Sequence, residues 1–191
     1  MPRIHVALGV APKNAESFTE DVARAIEETA TNKYVSSIGS CGLDDPFDEM
    51  QILALKRQIS LAKQLDLALV VESAGAYDEL LDVLRENEAL PERVLLRAFD
   101  GSAEQLGRWV QWGSYVSFDA RAADDPVRFC ELARMVPPDR ILVESGAPAR
   151  TIARLKGHPA RTDQAVFVAD VLMGVVPPSR IGCNAQILFR C

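Results

Sequence analysis

The chain has 191 residues, 48% of them hydrophobic and 25% charged, with a formal charge of −6. This length suits one well-buried domain, so a single domain is predicted over residues 1–191. The negative charge argues against broad binding to nucleic acid or anionic membranes, and no apolar run approaches the roughly 18 residues that cross a bilayer.

Apolar strand-like runs alternate with amphipathic helical stretches along the chain, beginning within the first residues, where a signal peptide's long apolar core is lacking. Strands are predicted over residues 4–10, 34–39, 67–71, 94–98, 115–118 and 141–143. Helices are predicted over residues 15–31, 47–65, 77–86, 103–111, 126–135, 151–155, 164–175 and 179–189.

Strict alternation of strands and helices indicates a parallel sheet covered by helices. A doubly wound open sheet and a β/α barrel both have this pattern. No Gly-x-Gly-x-x-Gly loop follows the first strand, and polar residues follow nearly every strand, which favours the barrel. The predicted fold class is therefore α/β, a TIM-barrel-derived fold with about six βα units instead of eight.

The candidate site residues follow the predicted strands, where side chains of a barrel converge. A hydrolytic metal centre needs several His, Asp or Glu side chains at one point, and the chain has only two histidines, His5 and His158. The candidate pocket residues are Ser40, Glu72, Arg97, Asp119 and Glu144.

Several segments in the right order resemble the TatD family of metal-dependent hydrolases and deoxyribonucleases, which are amidohydrolase-related β/α barrels. Residues 39–44, Gly-Ser-Cys-Gly-Leu-Asp, with Gln51 after them, resemble the family's Gly-Glu-x-Gly-Leu-Asp and its following helix. Residues 97–102 resemble its His-Cys-Phe-Ser-Gly-Ser, and residues 137–148 its stretch ending Glu-Thr-Asp-Ala-Pro. The match extends to Asn184 and Ala185 in the closing helix.

The resemblance also implies which ligands are changed. The chain starts at what resembles the family's third strand, so the first strand with its two His ligands and the second βα unit are missing. The remaining family ligand positions are occupied by Ala11, Ser40, Glu72, Arg97 and Gly146. No metal ligand is therefore assigned, and the resemblance supports the fold and the ancestry more than the activity.

Arg97 differs most in chemistry from a metal ligand, because a guanidinium carries a fixed positive charge and ligates no metal. We predict that Arg97 pairs with Glu72 from the preceding strand and supplies the positive charge that the family's metal ion provides. The alternative is that both charges are solvated in loops. Glu144 is predicted to accept hydrogen bonds from loop amides or Arg97 rather than to act as a base. Asp119 is predicted to cap the turn that follows it, with a polar cluster as the alternative.

Other reactive residue types have structural interpretations. Ser40 and Cys41 lack an adjacent base, so a buried position is favoured over a nucleophile. Asp44, Asp45 and Asp48 are predicted to stabilise a turn and the start of the following helix. One local cationic stretch could attract an anionic ligand, although a solvated face is favoured. It comprises Arg150, Arg154, Lys156, His158 and Arg161.

The four cysteines are far apart, which predicts reduced thiols in a cytoplasmic protein. A barrel without two strands exposes sheet edges, so a homodimer or other homo-oligomer is expected. A small anionic ligand at the strand ends is a further expected partner.

The predicted function is a non-catalytic binding or structural role, in a TatD-related protein that has lost its metal centre and needs no cofactor. The alternative is a divergent hydrolase that acts on phosphodiesters or amides through an altered or intersubunit site and binds divalent metal.

Overall fold

A computed structural model describes residues 4–87, 91–147, 159 and 161–191. Its six strands form one sheet in the order β1-β2-β3-β4-β5-β6, and the pairs β1–β2, β2–β3 and β5–β6 are parallel. This confirms the predicted α/β fold with six βα units. The strands are β1 Val6–Leu8, β2 Val35–Gly42, β3 Ala68–Glu72, β4 Val94–Leu96, β5 Tyr115–Phe118 and β6 Ile141–Val143.

Helices follow the strands, and within the described part of the chain none is long and apolar enough to cross a membrane. The α-helices are α1 Glu20–Ala30, α2 Glu49–Gln64, α3 Tyr77–Arg85, α4 Ala103–Trp112, α5 Arg121–Asp124, α6 Pro126–Met135, α7 Ala165–Val171 and α8 Pro178–Phe189. Short 3₁₀ helices lie at Pro12–Ser17, Pro138–Arg140 and Thr162–Gln164.

Several predicted boundaries are wrong. The first helix begins at Glu20 rather than at residue 15, because Pro12–Ser17 forms a separate 3₁₀ helix and Thr19 caps α1 by accepting from the Val22 amide at 3.3 Å. The second strand continues past residue 39 to Gly42. The first strand is shorter than predicted, and the helix predicted over 164–175 spans only Ala165–Val171. The helix predicted over 151–155 lies outside the described residues.

The chain divides into two compact units, which comprise residues 1–95 with 188–191 and residues 96–187. In the first unit, α2 packs against β2, whose Ile38 and Cys41 are fully buried. Gly39 and Gly42 of this strand have positive φ angles of 140° and 154°. A Cβ atom on Gly42 would lie 1.8 Å from the Glu72 carbonyl oxygen, so only glycine allows β3 to approach this closely.

The loop after β1 is held by a side chain of α2. The buried Gln58 amide accepts from the Val10 amide at 2.8 Å and donates to the Val10 carbonyl at 3.1 Å. It bonds Val10 through both main-chain groups, as a neighbouring strand does. The packing is tight, because a Cβ atom on Gly9 would lie 2.7 Å from the Gln58 oxygen.

In the second unit, β5 and β6 pair in parallel register, with Val116 opposite Ile141 and Phe118 opposite Val143. Phe118 contacts Phe129 of α6 edge-to-face, with ring centroids 5.9 Å apart. The buried Asn184 of α8 donates to the carbonyls of Pro138 and Ile141, both at 2.8 Å. The closing helix is therefore hydrogen-bonded to the start of β6.

Candidate functional site

Two candidate site residues of the second unit, Arg97 and Glu144, form an ion pair. Arg97 follows β4 and Glu144 follows β6. The Arg97 Nη2 and Nε atoms both donate to Glu144 Oε2, at 2.5 Å and 3.2 Å. The two side chains are 30% and 21% exposed, so water screens this pair only partly. The predicted contact of Glu144 with Arg97 is confirmed.

The other Glu144 oxygen is engaged as well. Oε1 accepts from the Ser117 hydroxyl at 2.6 Å and from the Ala98 amide at 3.0 Å. An ionised carboxylate offers about four acceptor positions, and here four protein donors use them. Glu144 therefore accepts hydrogen bonds from a loop amide and from Arg97, as predicted.

A hydrogen bond to this carboxylate helps to hold the conformation of Ala98. Its φ is 50°, in the left-handed region that an alanine rarely adopts. Its amide bonds both Ser117 Oγ, at 3.0 Å, and Glu144, so side chains of β5 and of the residue after β6 hold the turn after β4. A strained turn persists where its surroundings determine it in this way.

A second ionic network contains the predicted site residue Asp119. This fully buried carboxylate accepts from the Arg121 amide at 3.1 Å, which is the predicted turn cap. It also accepts from Arg121 Nε at 2.8 Å, so the alternative prediction, a polar cluster, is observed as well. Arg121 also donates to the Asp100 carboxylate and to the Ala98 carbonyl. Arg128 of α6 donates to the carbonyls of Asp100 and Gly101.

In the first unit the predicted site residues lie on the ends of β2 and β3. Ser40 and Glu72 are half-buried, and Gly42 is the register partner of Glu72. The predicted pairing of Glu72 with Arg97 joins residues of different units and stays a prediction. Cys41 is fully buried, and its Sγ lies 3.6 Å from the Val70 carbonyl oxygen. Burial, and secondarily the Glu72 charge, raises the pKa of the Cys41 thiol far above its usual range, which disfavours a nucleophile.

Asp45 and Asp48 have the turn and helix-start roles predicted for them, whereas Asp44 has a different one. Asp48 caps α2 by accepting from the amides of Met50 and Gln51, and Asp45 accepts from the Phe47 amide. Asp44 accepts from the Ala74 amide at 2.7 Å and thereby ties the loops after β2 and β3 together.

The residues at the family's ligand positions do not fit its metal centre. Of Ala11, Ser40, Glu72, Arg97 and Gly146, only Glu72 has a carboxylate or imidazole, and Arg97 is a cation paired with Glu144. Across residues 4–87, 91–147, 159 and 161–191, no group of three or more His, Cys, Asp or Glu side chains is arranged to hold a metal ion.

Sequence reasoning missed Ser117, Asp100, Arg121 and Arg128. Ser117 lies inside an apolar strand, where its small side chain gives no signal of the contact with Glu144. Arg121 was detectable, because an arginine two residues after Asp119 can reach back to that carboxylate. Of the cationic stretch, only Arg161 lies in the described part of the chain, and it pairs with the exposed Asp163 at 3.2 Å.

Comparison with known proteins identifies relatives that match most of the chain. The uncharacterized metal-dependent hydrolase YabD of Bacillus subtilis is 28% identical over 177 residues, which cover 87% of this chain and 68% of YabD. The 3′-5′ ssDNA/RNA exonuclease TatD of Erwinia billingiae is 26% identical over 200 residues, covering 95% of this chain and 76% of the relative.

Solved structures share the fold. The crystal structure of YjjV, a TatD homologue from Escherichia coli K12, superposes with a TM-score of 0.86 at 24% identity and covers 98% of this chain and 77% of YjjV. A TatD-family hydrolase from Entamoeba histolytica gives a TM-score of 0.78 at 14% identity, covering 97% and 74%. The family model described as TatD related DNase matches residues 1–179, and the chain therefore belongs to the TatD family.

Proposed function

We propose that this TatD-family chain has a non-catalytic binding or structural role and lacks the two-metal hydrolytic centre that its resemblance implies. The observation that carries the proposal is the Arg97–Glu144 ion pair, in which a guanidinium at a family ligand position donates twice to the Glu144 carboxylate. Glu144, with four protein donors, does not accept a proton from water without first losing one of them.

Electrostatics supports the same proposal. Two like unit charges 4 Å apart repel by roughly 4 kcal/mol at an effective dielectric of 20, so a dication near Arg97 meets roughly twice that from the guanidinium alone, before the opposite charge of Glu144 is counted. A functional metal site needs several anionic or imidazole ligands to outweigh such a cost. The proposed role accordingly requires no cofactor.

Metal analysis combined with a nuclease assay tests this proposal. We expect purified protein to hold far less than one equivalent of zinc, manganese or magnesium. We also expect no cleavage of single-stranded DNA or RNA with added magnesium or manganese, under conditions in which the Erwinia billingiae exonuclease cleaves. One or more tightly held divalent ions, or cleavage that a chelator abolishes, contradicts the proposal.

A second candidate is a divergent hydrolase that acts on phosphodiester or amide bonds through an altered or intersubunit site. The family match over residues 1–179 favours it, because relatives include a 3′-5′ ssDNA/RNA exonuclease and metal-dependent hydrolases. This candidate requires divalent metal, and its ligands would have to come from residues other than Glu144. Activity that rises steeply with protein concentration would distinguish an intersubunit site from one within a single chain.

The proposed partners are a second copy of the chain and a small anion. Exposed apolar side chains near β1 support the homo-oligomer, since Ile4 is 80% and Val6 41% exposed. Light scattering after size exclusion tests it, and a monomeric mass contradicts it. An anion at Arg97 would have to compete with Glu144, so calorimetric titration with phosphate is expected to detect only weak binding.

We further propose that the protein acts in the cytoplasm, in keeping with its free cysteines Cys41, Cys130, Cys183 and Cys191. Membrane binding and broad nucleic-acid binding are not part of the proposed role, in keeping with the net charge of −6. Fractionation of cells that express the chain tests this location.

A further inference from the structure

We infer that Arg97 is a permanent counter-cation for Glu144 and makes the strand ends of the second unit independent of divalent metal. The inference rests on the proposed loss of the metal centre and states what takes its place. The relevant residues are the pair itself and the two donors to Oε1, Ser117 and the Ala98 amide.

The division of donors between the two carboxylate oxygens carries the first step. Both guanidinium donors converge on Oε2, while the hydroxyl and the amide converge on Oε1. One oxygen is therefore neutralised by charge and the other is fixed by neutral hydrogen bonds. Charge-assisted bonds of this kind are shorter and stronger than neutral ones, and the 2.5 Å contact of Nη2 is of this type.

The position of the carboxylate carries the second step. Arg97 and Ala98 follow β4, Ser117 lies in β5, and Glu144 follows β6. One side chain thus joins the carboxyl ends of three strands within this unit. A metal ion joins strand ends by drawing several side chains toward one cation, and here a covalently attached cation and one carboxylate produce the same convergence.

The neighbouring network reinforces the fixed geometry. The Ala98 carbonyl accepts from Arg121, and the Ala98 amide bonds Glu144, so both main-chain groups of this strained residue are held by charged side chains. Arg121 itself is fixed by the buried Asp119. The turn after β4 is therefore organised by ion pairs, and its order needs no ligand supplied from solution.

Thermal unfolding of the full chain and its variants tests the inference. We expect wild-type protein to melt within about 1 °C of the same temperature in EDTA, in buffer and in millimolar MnCl₂, since no ion binds the folded state preferentially. Arg97→Gln is expected to lower Tm by about 5–10 °C, because it leaves Glu144 without its counter-charge.

Glu144→Gln and the double variant complete a thermodynamic cycle. Glu144→Gln keeps an acceptor for Ser117 and Ala98 but presents an amide to Arg97, so it also lowers Tm. The double variant, R97Q with E144Q, is expected to melt no lower than the R97Q single variant. Arg97→Lys, which keeps the charge, is the matched control and is expected to lose less than Arg97→Gln.

Three outcomes overturn the inference: a fall in the wild-type Tm on adding EDTA, a rise of several degrees with MnCl₂, or additive losses in the double variant. The wild-type chelator measurement stands even if a variant fails to fold. Metal-dependent nuclease activity with an unchanged Tm would overturn the proposed function while the Arg97–Glu144 pair still held the strand ends without metal, whereas a metal-dependent Tm would overturn the inference itself. The two failures are therefore distinguishable.

Discussion

Different interactions hold the strand ends in place in the two units. In the first unit β2 ends in small residues, and its glycines let the main chain of β3 approach within contact distance. In the second unit the ends of β4, β5 and β6 carry charged and polar side chains that pair with one another. The first arrangement depends on the absence of side-chain atoms, and the second depends on matched charges.

This difference teaches that two separate physical conditions limit which side chains fit at the strand ends. Where Ser40 lies, steric crowding of the main chain limits which residues fit nearby. Where Arg97 lies, a large side chain is accommodated because Glu144 provides the opposite charge. The variants below test whether the first unit is destabilised by loss of close main-chain packing and the second by loss of its ion pairs.

Gly42→Ala is expected to have the largest effect, a loss of about 4 kcal/mol or more in the free energy of unfolding. The added Cβ would lie 1.8 Å from the Glu72 carbonyl oxygen, at a φ of 154° that alanine rarely adopts. Urea denaturation, or the soluble yield, measures it. Gly75→Ala is the matched control, because it has a φ of 118° but no atom within 4 Å of the new Cβ. Equal losses at both glycines would show that crowding is not the cause.

Asp119→Ala tests the ionic closure of the second unit. We expect a loss of about 3 kcal/mol, because removing the buried partner leaves Arg121 with only one of its two carboxylate partners, Asp100. Asp119→Asn keeps an oxygen for the Arg121 amide and is expected to lose clearly less. Both are measured by urea denaturation, and a loss no larger than that of the exposed Asp139→Ala would contradict the role of the network.

Ala98→Gly is expected to stabilise the protein by about 1 kcal/mol, since glycine adopts the φ of 50° without strain. The matched control is Ala133→Gly in the interior of α6, which is expected to destabilise by about 1 kcal/mol or more. Opposite signs in chemical denaturation support the strained turn, and destabilisation by both glycines argues against it.

Asp66 gives the smallest expected effect, which depends on pH. A hydrogen bond from Arg190, helped by the charges of Arg190 and Arg93, lowers the pKa of this exposed carboxyl in the first unit. Because the folded pKa is the lower one, the stabilisation is present above the unfolded pKa and is lost as the pH falls through the folded pKa.

An NMR titration of the Asp66 side chain tests this dependence. Arg190→Gln is expected to raise the Asp66 pKa, while Lys63→Gln, which removes a weaker influence on that carboxyl, is expected to raise it less. An unchanged Asp66 pKa in Arg190→Gln would show that Arg190 does not pair with it in solution.

The sequence predicted the fold because apolar strands and amphipathic helices alternate with little ambiguity. It also predicted local roles that depend on neighbours in the chain, such as Asp48 as a helix cap and Asp119 as a turn cap. The contact of Glu144 with Arg97 was among the expected alternatives because both follow strands. The family resemblance added the order of the segments.

Other features could not be predicted because they depend on register and packing. Ser117 reaches Glu144 across 27 positions of sequence, and only the parallel pairing of β5 with β6 brings the two side chains together. The predicted start of the first helix was wrong because Pro12, a residue type favoured in the first turn of a helix, begins a separate 3₁₀ helix. Thr19 then caps α1, which begins at Glu20.

The amide of Gln58 has a consequence for how this scaffold can diverge. It grips the Val10 peptide through the N–H and the carbonyl, groups that nearly every amino acid supplies. The path of the chain after β1 therefore does not depend on which side chains these residues carry. A change of side chain at the adjacent Ala11 therefore leaves the hydrogen bonds between Gln58 and the Val10 main chain in place.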